Sequence, residues 1–223
     1  LCIAPDGSVY AALRGLASPG AEHGRLPVIY HISPEGKLLN SFTVGEREWN
    51  IVDSMATDAQ GRLYMRMRMQ EDGSYVRIYS AEGELIGTVA DDDSYAVQGA
   101  GALGHGKDGK VYAAAQAVGN TTAGDMAMTL VSVDPESLRF VPVAGGENVI
   151  CSADTIYPWK MVVAGVSETA DFILWGYNGV DTYRLGETEF TRVQENWEMP
   201  CGTEGTCAVL VPDGRILYIG ASD

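Results

Sequence analysis

Apolar and polar residues alternate along much of the chain in short runs. From Leu63 to Met69, for example, an apolar side chain occupies every second position. Alternation with a period of two places these residues on one face of a β-strand. The stretches between such runs are rich in Gly, Pro, Ser and Thr, which disfavours helices. The pattern therefore predicts an all-β protein.

One phrase, a tight turn followed by an alternating strand, recurs along the chain. It occurs as "PDGSVY" from Pro5, "AQGRLY" from Ala59, "KDGKVY" from Lys107 and "PDGRILY" from Pro212. The copies are about 50 residues apart, with one gap of twice that length, and "ADFILW" fills the gap. A period of about 50 residues is typical of propeller arrays.

Each unit predicts four strands joined by turns. The Asp-Gly phrase between the first two strands predicts a two-residue hairpin that needs positive φ. A second class of turn, "SPEGK", "DPESL" and "GETE", precedes the fourth strand. Four-stranded antiparallel repeats predict a β-propeller, with about five blades visible and the first and last incomplete. A pair of β-sandwiches is the alternative.

We expect a single propeller domain over residues 1–223. Its blades are predicted at approximately 1–45, 46–92, 93–146, 147–195 and 196–223, the last being partial. The chain opens inside an apolar run, "LCIA", without a signal peptide. This start predicts a mature or trimmed piece of a longer polypeptide.

Charge restricts the partners. The 223 residues include 30 acidic and 15 basic side chains, which gives a formal net charge of -15. Such a chain repels nucleic acid and anionic lipid headgroups. The longest apolar runs are strand-sized and far below the roughly 20 residues that span a bilayer, so we expect no direct membrane insertion of this domain.

The four cysteines lack the Cys-x-x-Cys spacing of a zinc or redox site. Cys201 and Cys207 flank the flexible segment "GTEGT", which would allow a disulfide in an oxidising compartment. Unpaired thiols are an equally good interpretation, so the sequence does not decide whether this disulfide forms.

Two resemblances follow from these residues. The repeated phrase resembles the blade signature of NHL-type propellers. The segment "ADFILWGYNGVDTYRLGETEFTRVQENWEM" with "VLVPDGRILYI" is similar to the N-terminal propeller region of family 1 extracellular solute-binding lipoproteins of gut Gram-positive bacteria. The matching positions are Ala170, Asp171, Phe172, Tyr183, Leu185, Trp197 and residues 213–215. Tyr177 and Asn178 depart from the usual Asp-Gly pair.

The lipoprotein resemblance implies an exported bacterial protein, extracellular at the cell surface and lipid-anchored in its full length. It also implies a possible fused solute-binding domain, although none follows within this sequence. The resemblance supplies no catalytic residues.

Aromatic residues cluster at the predicted entries to the innermost strands. With their polar neighbours they form a candidate site for a glycan or for a peptide or protein ligand. Its residues are Trp49, Asn50, Asp53, Tyr95, Gln98, Tyr157, Trp159, Lys160, Trp197 and Glu198. The alternative is that the tryptophans pack between neighbouring blades, and the sequence leaves both interpretations open.

Enzymatic chemistry is weakly indicated, and we predict a non-catalytic binding module without a cofactor. His23, His31 and His105 lack an accompanying Gly-x-Ser-x-Gly motif. The alternative function is a calcium-dependent lactonase-like or lyase-like propeller enzyme. Its oxygen ligands would come from Asp53, Asp91, Asp92, Asp93 and Asp154, but no metal motif fits these positions, so no metal ligand is assigned.

Overall fold

The computed structural model describes the backbone of about three fifths of the chain. The described residues are 1–13, 26–44, 51–69, 73–90, 95–96, 103–117, 128–145, 160–162, 172–175, 180–185, 190–197, 207–210 and 216–219. Beyond residue 145, side chains are described only for Tyr183 and Arg184. All regular elements within these ranges are strands, which confirms the all-β prediction.

Each sheet is built from strands that follow one another in the chain. Blade 1 contains β1 (Cys2–Ile3), β2 (Val9–Leu13), β3 (Val28–Ile32) and β4 (Leu38–Thr43). Blade 2 contains β5 (Ile51–Thr57), β6 (Leu63–Met69), β7 (Gly73–Tyr79) and β8 (Leu85–Val89). Both sheets are antiparallel and run in simple up-and-down order.

The next two sheets keep the antiparallel order of consecutive strands. Blade 3 contains β9 (Tyr95–Ala96), β10 (Gly104–His105), β11 (Val111–Ala117), β12 (Met128–Asp134) and β13 (Arg139–Pro142). Blade 4 contains β14 (Lys160–Val162), β15 (Phe172–Trp175), β16 (Val180–Leu185) and β17 (Phe190–Trp197). A two-stranded sheet of β18 (Cys207–Leu210) and β19 (Ile216–Ile219) follows. The chain therefore has propeller-like four-stranded blades.

Blade 3 differs from the predicted four strands. Two short strands, β9 and β10, pair with opposite ends of the same edge of β11. They share the innermost position that β1 and β5 each fill alone. The division into five blades with the predicted limits stays a prediction.

Blade 2 lies between two hydrophobic clusters. Leu63, Met65 and Met67 on one face of β6 pack in the cluster shared with blade 1, whereas Tyr64 packs in the cluster shared with blade 3. The alternation seen in the sequence is thus confirmed at these positions. Because both faces of blade 2 are buried, blades 1 and 3 pack face to face against it.

The innermost strands of blades 1 to 3 lie side by side. The Thr57 hydroxyl donates to the Ile3 carbonyl across 3.2 Å, and His105 Nδ1 lies 2.7 Å from the Thr57 carbonyl. The Leu103 amide donates to Ser54 Oγ across 2.8 Å. Through these hydrogen bonds, blade 2 is held between blade 1 and blade 3.

Five of the hairpin turns that the structure describes share one geometry. In each, the first amide donates to the fifth carbonyl and the fourth amide donates to the first carbonyl, at 2.8 to 3.1 Å. The five turns span residues 4–8, 33–37, 58–62, 80–84 and 106–110. Only the glycine at the fourth position has positive φ, between 78° and 91°. This is a type I turn followed by a left-handed residue.

The turns correct two predictions. A two-residue hairpin would need positive φ at both Asp6 and Gly7, but only Gly7 has it, so that prediction was wrong. The turn at 33–37 was assigned to a second class, yet it shares the geometry of 4–8, as does the turn at 80–84. Only the turn between β12 and β13 differs among those described, because Leu138 takes the left-handed conformation with φ of 54°.

The up-and-down order places the five turns at one end of blades 1 to 3, which we call the turn end. Contacts between blades agree with this placement. The Ala59 amide donates to the Gly109 carbonyl across 2.8 Å, and Asn40 Nδ2 donates to the Glu82 carbonyl across 2.8 Å. The opposite end, where β5 begins and β11 ends, is called the loop end.

Candidate functional site

A cavity of about 240 Å³ opens at the turn end between blades 1 and 2. The turns at 4–8, 58–62 and 80–84 form its rim, and the paired strands β2 and β3 supply the floor. The lining residues are Ala4, Pro5, Asp6, Ser8, Tyr10, His31, Ala59, Gln60, Gly61 and Ala81. The cavity thus combines small apolar walls with a serine, a histidine and a carboxylate.

Ser8 connects the polar groups of the cavity. Its hydroxyl lies 2.6 Å from Asp6 Oδ1 and 2.7 Å from His31 Nε2, and its amide also donates to Asp6 Oδ1 across 2.9 Å. The His31 ring stacks on Tyr10 with centroids 4.1 Å apart and 11° between the planes. Ser8 and Tyr10 are fully buried, and His31 is nearly so.

The hydrogen-bond order differs from that of a hydrolytic triad. An ionised carboxylate only accepts, so the single Ser8 hydroxyl proton is donated to Asp6 and His31 Nε2 donates to the Ser8 oxygen. A serine nucleophile instead needs an imidazole that accepts its proton, with the carboxylate on the other ring nitrogen. In this arrangement His31 is not positioned as the base for Ser8.

Burial shifts the pKa values of both His31 and Tyr10. Desolvation lowers the pKa of His31 below its usual value, and the carboxylates of Asp6 and Glu82 offset part of that effect. Burial also raises the pKa of Tyr10 to about 12, with smaller contributions from Cys2, Asp6 and Glu82. The folded chain therefore holds His31 neutral near pH 7.

A pH dependence of stability follows. Because the pKa of His31 is lower in the folded than in the unfolded chain, the unfolded chain binds a proton first as pH falls below 6.5. We expect the free energy of unfolding, measured by urea denaturation, to decrease as pH falls from 7.5 through this window. His31→Gln should flatten the decrease. His23→Gln, which changes a histidine outside the described residues, should keep it, and an unchanged slope in His31→Gln would contradict the assignment.

Six of the sequence-predicted site residues lie outside the described residues. These are Trp49, Asn50, Gln98, Tyr157, Trp159 and Glu198. The other four are described as backbone positions only. Asp53 lies in β5 and Tyr95 in β9, while Lys160 begins β14 and Trp197 ends β17. Tyr95 pairs with Ala117 at the loop end of β11.

The register of blade 4 aligns four residues across the sheet. Lys160 is opposite Trp175, Trp175 is opposite Val180, and Val180 is opposite Trp197. Residues opposite each other in antiparallel strands share one face of the sheet. This row, called the tryptophan row, lies where β14 begins, which corresponds to the loop end of blades 1 to 3. Trp175 belongs to none of the sites predicted from the sequence.

A β-bulge lies beside the tryptophan row. The pairing of β16 with β17 shifts between Val180 and Thr182, so that Thr182 is opposite Gln194. Bulges change the direction of neighbouring side chains and are common next to binding sites. The position of Trp197 in the row therefore depends on the bulge.

Comparison with known proteins gives the fold and no family. No family model and no curated protein matches the chain. A solved structure of a protein of unknown function from Dyadobacter fermentans DSM 18053 is similar to 97% of the chain and 72% of its own length, with 14% identity and a TM-score of 0.54. At this identity the similarity concerns the fold alone.

Two further solved structures are more distant. Puromycin hydrolase matches 97% of the chain at 15% identity with a TM-score of 0.48, and the chain spans only 32% of its length. A protein of unknown function from Bacteroides caccae matches 95% of the chain and 73% of its own length at 11% identity, with a TM-score of 0.43. Neither similarity carries a functional argument.

The remaining predicted features concern metals, cysteines and membranes. In the described part of the chain, no group of three His, Cys, Asp or Glu residues is placed to hold a metal ion. Asp91, Asp92, Asp93, Asp154 and Cys201 lie outside that part. Cys207 is described only as the first backbone position of β18, and Cys2 is a free thiol whose pKa burial raises to about 12. No described helix has the length and apolar character to cross a bilayer.

Proposed function

We propose that the chain is a non-catalytic propeller-like module that binds a glycan or an extended peptide at the loop end. The tryptophan row carries this proposal. Trp175 and Trp197 lie two strands apart on one face of blade 4, about 10 Å from each other by the usual strand spacing. Two aromatic rings at this separation can each stack on one sugar ring or one peptide side chain of the same ligand.

The polar neighbours of the row support the same ligand classes. Lys160 is in the row itself, and Thr182 with Gln194 forms the adjacent pair. Hydroxyl, amide and ammonium groups beside aromatic rings are the groups that orient a bound sugar or peptide. Asp53 and Tyr95 lie toward the loop ends of blades 2 and 3, so they would extend the same surface.

The hydrogen-bond pattern of the turn-end cavity supports a non-catalytic role. The described histidine closest to a serine donates to it rather than accepting its proton, because the single Ser8 hydroxyl proton is donated to the Asp6 carboxylate. A rigid sheet scaffold that presents side chains at one end is sufficient for recognition without chemistry.

The wider context is also part of the proposal. We propose an NHL-like propeller of a bacterial solute-binding lipoprotein, exported and lipid-anchored at the cell surface. The resemblance of the segment around Phe172 and Tyr183 to such proteins supports it. A lipid-attachment cysteine upstream, or a solute-binding domain downstream, in the full reading frame would test this context.

The binding proposal predicts a specific loss of affinity. The intact chain is first screened on arrays of oligosaccharides and peptides, and the ligand found there is titrated by calorimetry. We expect Trp175→Ala and Trp197→Ala each to weaken that binding about tenfold or more, because truncating a central aromatic residue typically removes over 1 kcal/mol. Leu39→Ala, at an exposed residue of β4, is the control and should bind like the unchanged chain.

Thermal unfolding separates this proposal from interblade packing. If the tryptophans only pack between blades, both variants unfold at lower temperature yet bind the ligand with unchanged affinity while folded. That result, or the absence of any ligand on either array, would contradict the binding proposal.

A further inference from the structure

The turn-end cavity lies where blade 1 departs from the repeat. In blade 2, the Tyr64 hydroxyl donates to Asp58 Oδ2 across 3.0 Å, and in blade 3 the Tyr112 hydroxyl donates to Asp108 Oδ2 across 2.7 Å. Each bond ties the first turn of a blade to its second strand. Tyrosine at this position is thus held by a carboxylate of its own turn in both of these blades.

Blade 1 keeps the tyrosine and the carboxylate but connects them differently. Asp6 occupies the same turn position as Asp108, yet its Oδ1 accepts from the amide and hydroxyl of Ser8. Tyr10 instead stacks on His31. Blades 2 and 3 therefore show that a blade of this fold does not need the arrangement found in blade 1.

The consequence is a carboxylate oxygen available to a ligand. Among the described residues, no donor contacts Asp6 Oδ2, and Asp6 is exposed on the rim of the cavity. The two donors from Ser8 hold the carboxyl group in place and keep its pKa below the usual value, so it is ionised near pH 7.

The surroundings favour a positive charge. None of the described residues that line the cavity is Lys or Arg. Glu82, next to the lining residue Ala81, is close enough to raise the pKa values of both Tyr10 and His31. The chain as a whole carries a formal charge of -15, which concentrates cations near its clefts.

The walls favour an aliphatic stem. Ala4, Pro5, Ala59 and Ala81 present small apolar groups around the polar rim, and the cavity volume of about 240 Å³ is sufficient for one long side chain. Lysine buries its methylene groups against apolar surface while its ammonium group stays at the polar edge. The cavity has both parts of such an environment.

We propose that this cavity binds a protonated alkylamine, in particular the lysine side chain of a protein partner. The ammonium group donates to Asp6 Oδ2, and the methylene groups lie against the alanines and Pro5. The site is at the turn end, opposite the tryptophan row, so it is independent of the binding proposed above.

The test uses the intact chain and a short peptide of known composition. The blocked tripeptide acetyl-Ala-Lys-Ala-amide is titrated into isotope-labelled protein, and the amide signals of Gly7 and Gly61 are followed by NMR. We expect saturable shifts with this peptide and none with the version that carries norleucine, which has the same stem without the charge. Asp6→Asn should weaken binding up to about fivefold, as expected for a partly exposed ion pair.

Glu35→Gln is the matched control. Glu35 is an exposed carboxylate in the second turn of the same blade, it also accepts from a serine of its own turn, and it does not line the cavity. This variant should bind the lysine peptide like the unchanged chain. Equal loss in both variants, binding of the norleucine peptide, or no saturable shift would overturn the proposal.

A second variant tests the walls and guards against misfolding of the first. Ala59→Glu adds bulk and a second negative charge at a lining position of the next blade. If the lysine side chain occupies the cavity, this change blocks the stem and the peptide no longer binds. If Ala59→Glu instead leaves the shifts of Gly7 unchanged or strengthens binding, the ammonium group is held outside the cavity and the proposal is wrong.

Discussion

Replacing Asp58 with alanine is expected to lower the free energy of unfolding by about 3 kcal/mol, measured by urea denaturation. Asp58 is 2% exposed, and its two oxygens accept four hydrogen bonds. The donors are the amides of Gln60 and Arg62, the Arg62 guanidinium at 2.6 Å and the Tyr64 hydroxyl at 3.0 Å. Alanine leaves the buried hydroxyl and the guanidinium without this acceptor.

The third blade provides the control for this prediction. Asp108 accepts from the Lys110 amide and the Tyr112 hydroxyl, but a third of its side chain is exposed and its contact with the Lys110 ammonium is 3.9 Å long. Asp108→Ala is therefore expected to cost about 1 kcal/mol. An equal cost for the two variants would show that burial of the Asp58 network adds nothing to stability.

Gly109→Ala is the second change expected to have a large effect, with a loss of about 3 kcal/mol in the same measurement. Gly109 has φ of 81°, and a Cβ added there would lie 2.5 Å from the Cβ of Ala59 in blade 2. The left-handed backbone alone costs an L residue about 1 to 2 kcal/mol. Overpacking against the turn of the next blade adds a similar amount.

Gly36→Ala separates the two causes. Gly36 has the same turn geometry and the same φ of 81°, but a Cβ there would meet nothing within 4 Å. We expect the free energy of unfolding of this variant to fall only by the cost of the left-handed backbone, about 1 kcal/mol. If both variants lose the same free energy of unfolding, the turns of blades 2 and 3 move apart enough to accommodate a methyl group.

The sequence predicted the repeat well because its signals are local. The glycine of each turn and the alternation around Leu63 act within a few residues of themselves, and both agree with the structure. The number of residues in each hairpin loop was wrong, because Asp-Gly occurs both in two-residue loops and at the end of a type I turn. Backbone hydrogen bonds, rather than residue types, distinguish the two.

The two candidate sites depend on contacts and alignments between residues that are distant in the chain. The alternating pattern of a single strand does not predict them. The alignment of Trp175 with Trp197 depends on the strand register and on the bulge beside Val180. His31 was set aside because no motif accompanies it, and its contact with Ser8 spans 23 residues. A signal was present, however, since the structurally equivalent positions in blade 2 are Arg62 and Ile78, so of these two blades only blade 1 has the serine and histidine pair.

Because every sheet consists of consecutive strands, the backbone ladders join segments that are near one another in the chain. Closing such short loops costs little entropy, and proteins with a low contact order fold quickly for their size. Individual hairpins can therefore nucleate separately and later dock through Thr57 and Ser54. Synthesis on the ribosome would suit this route, since an emerging blade could take shape before its successor has been translated.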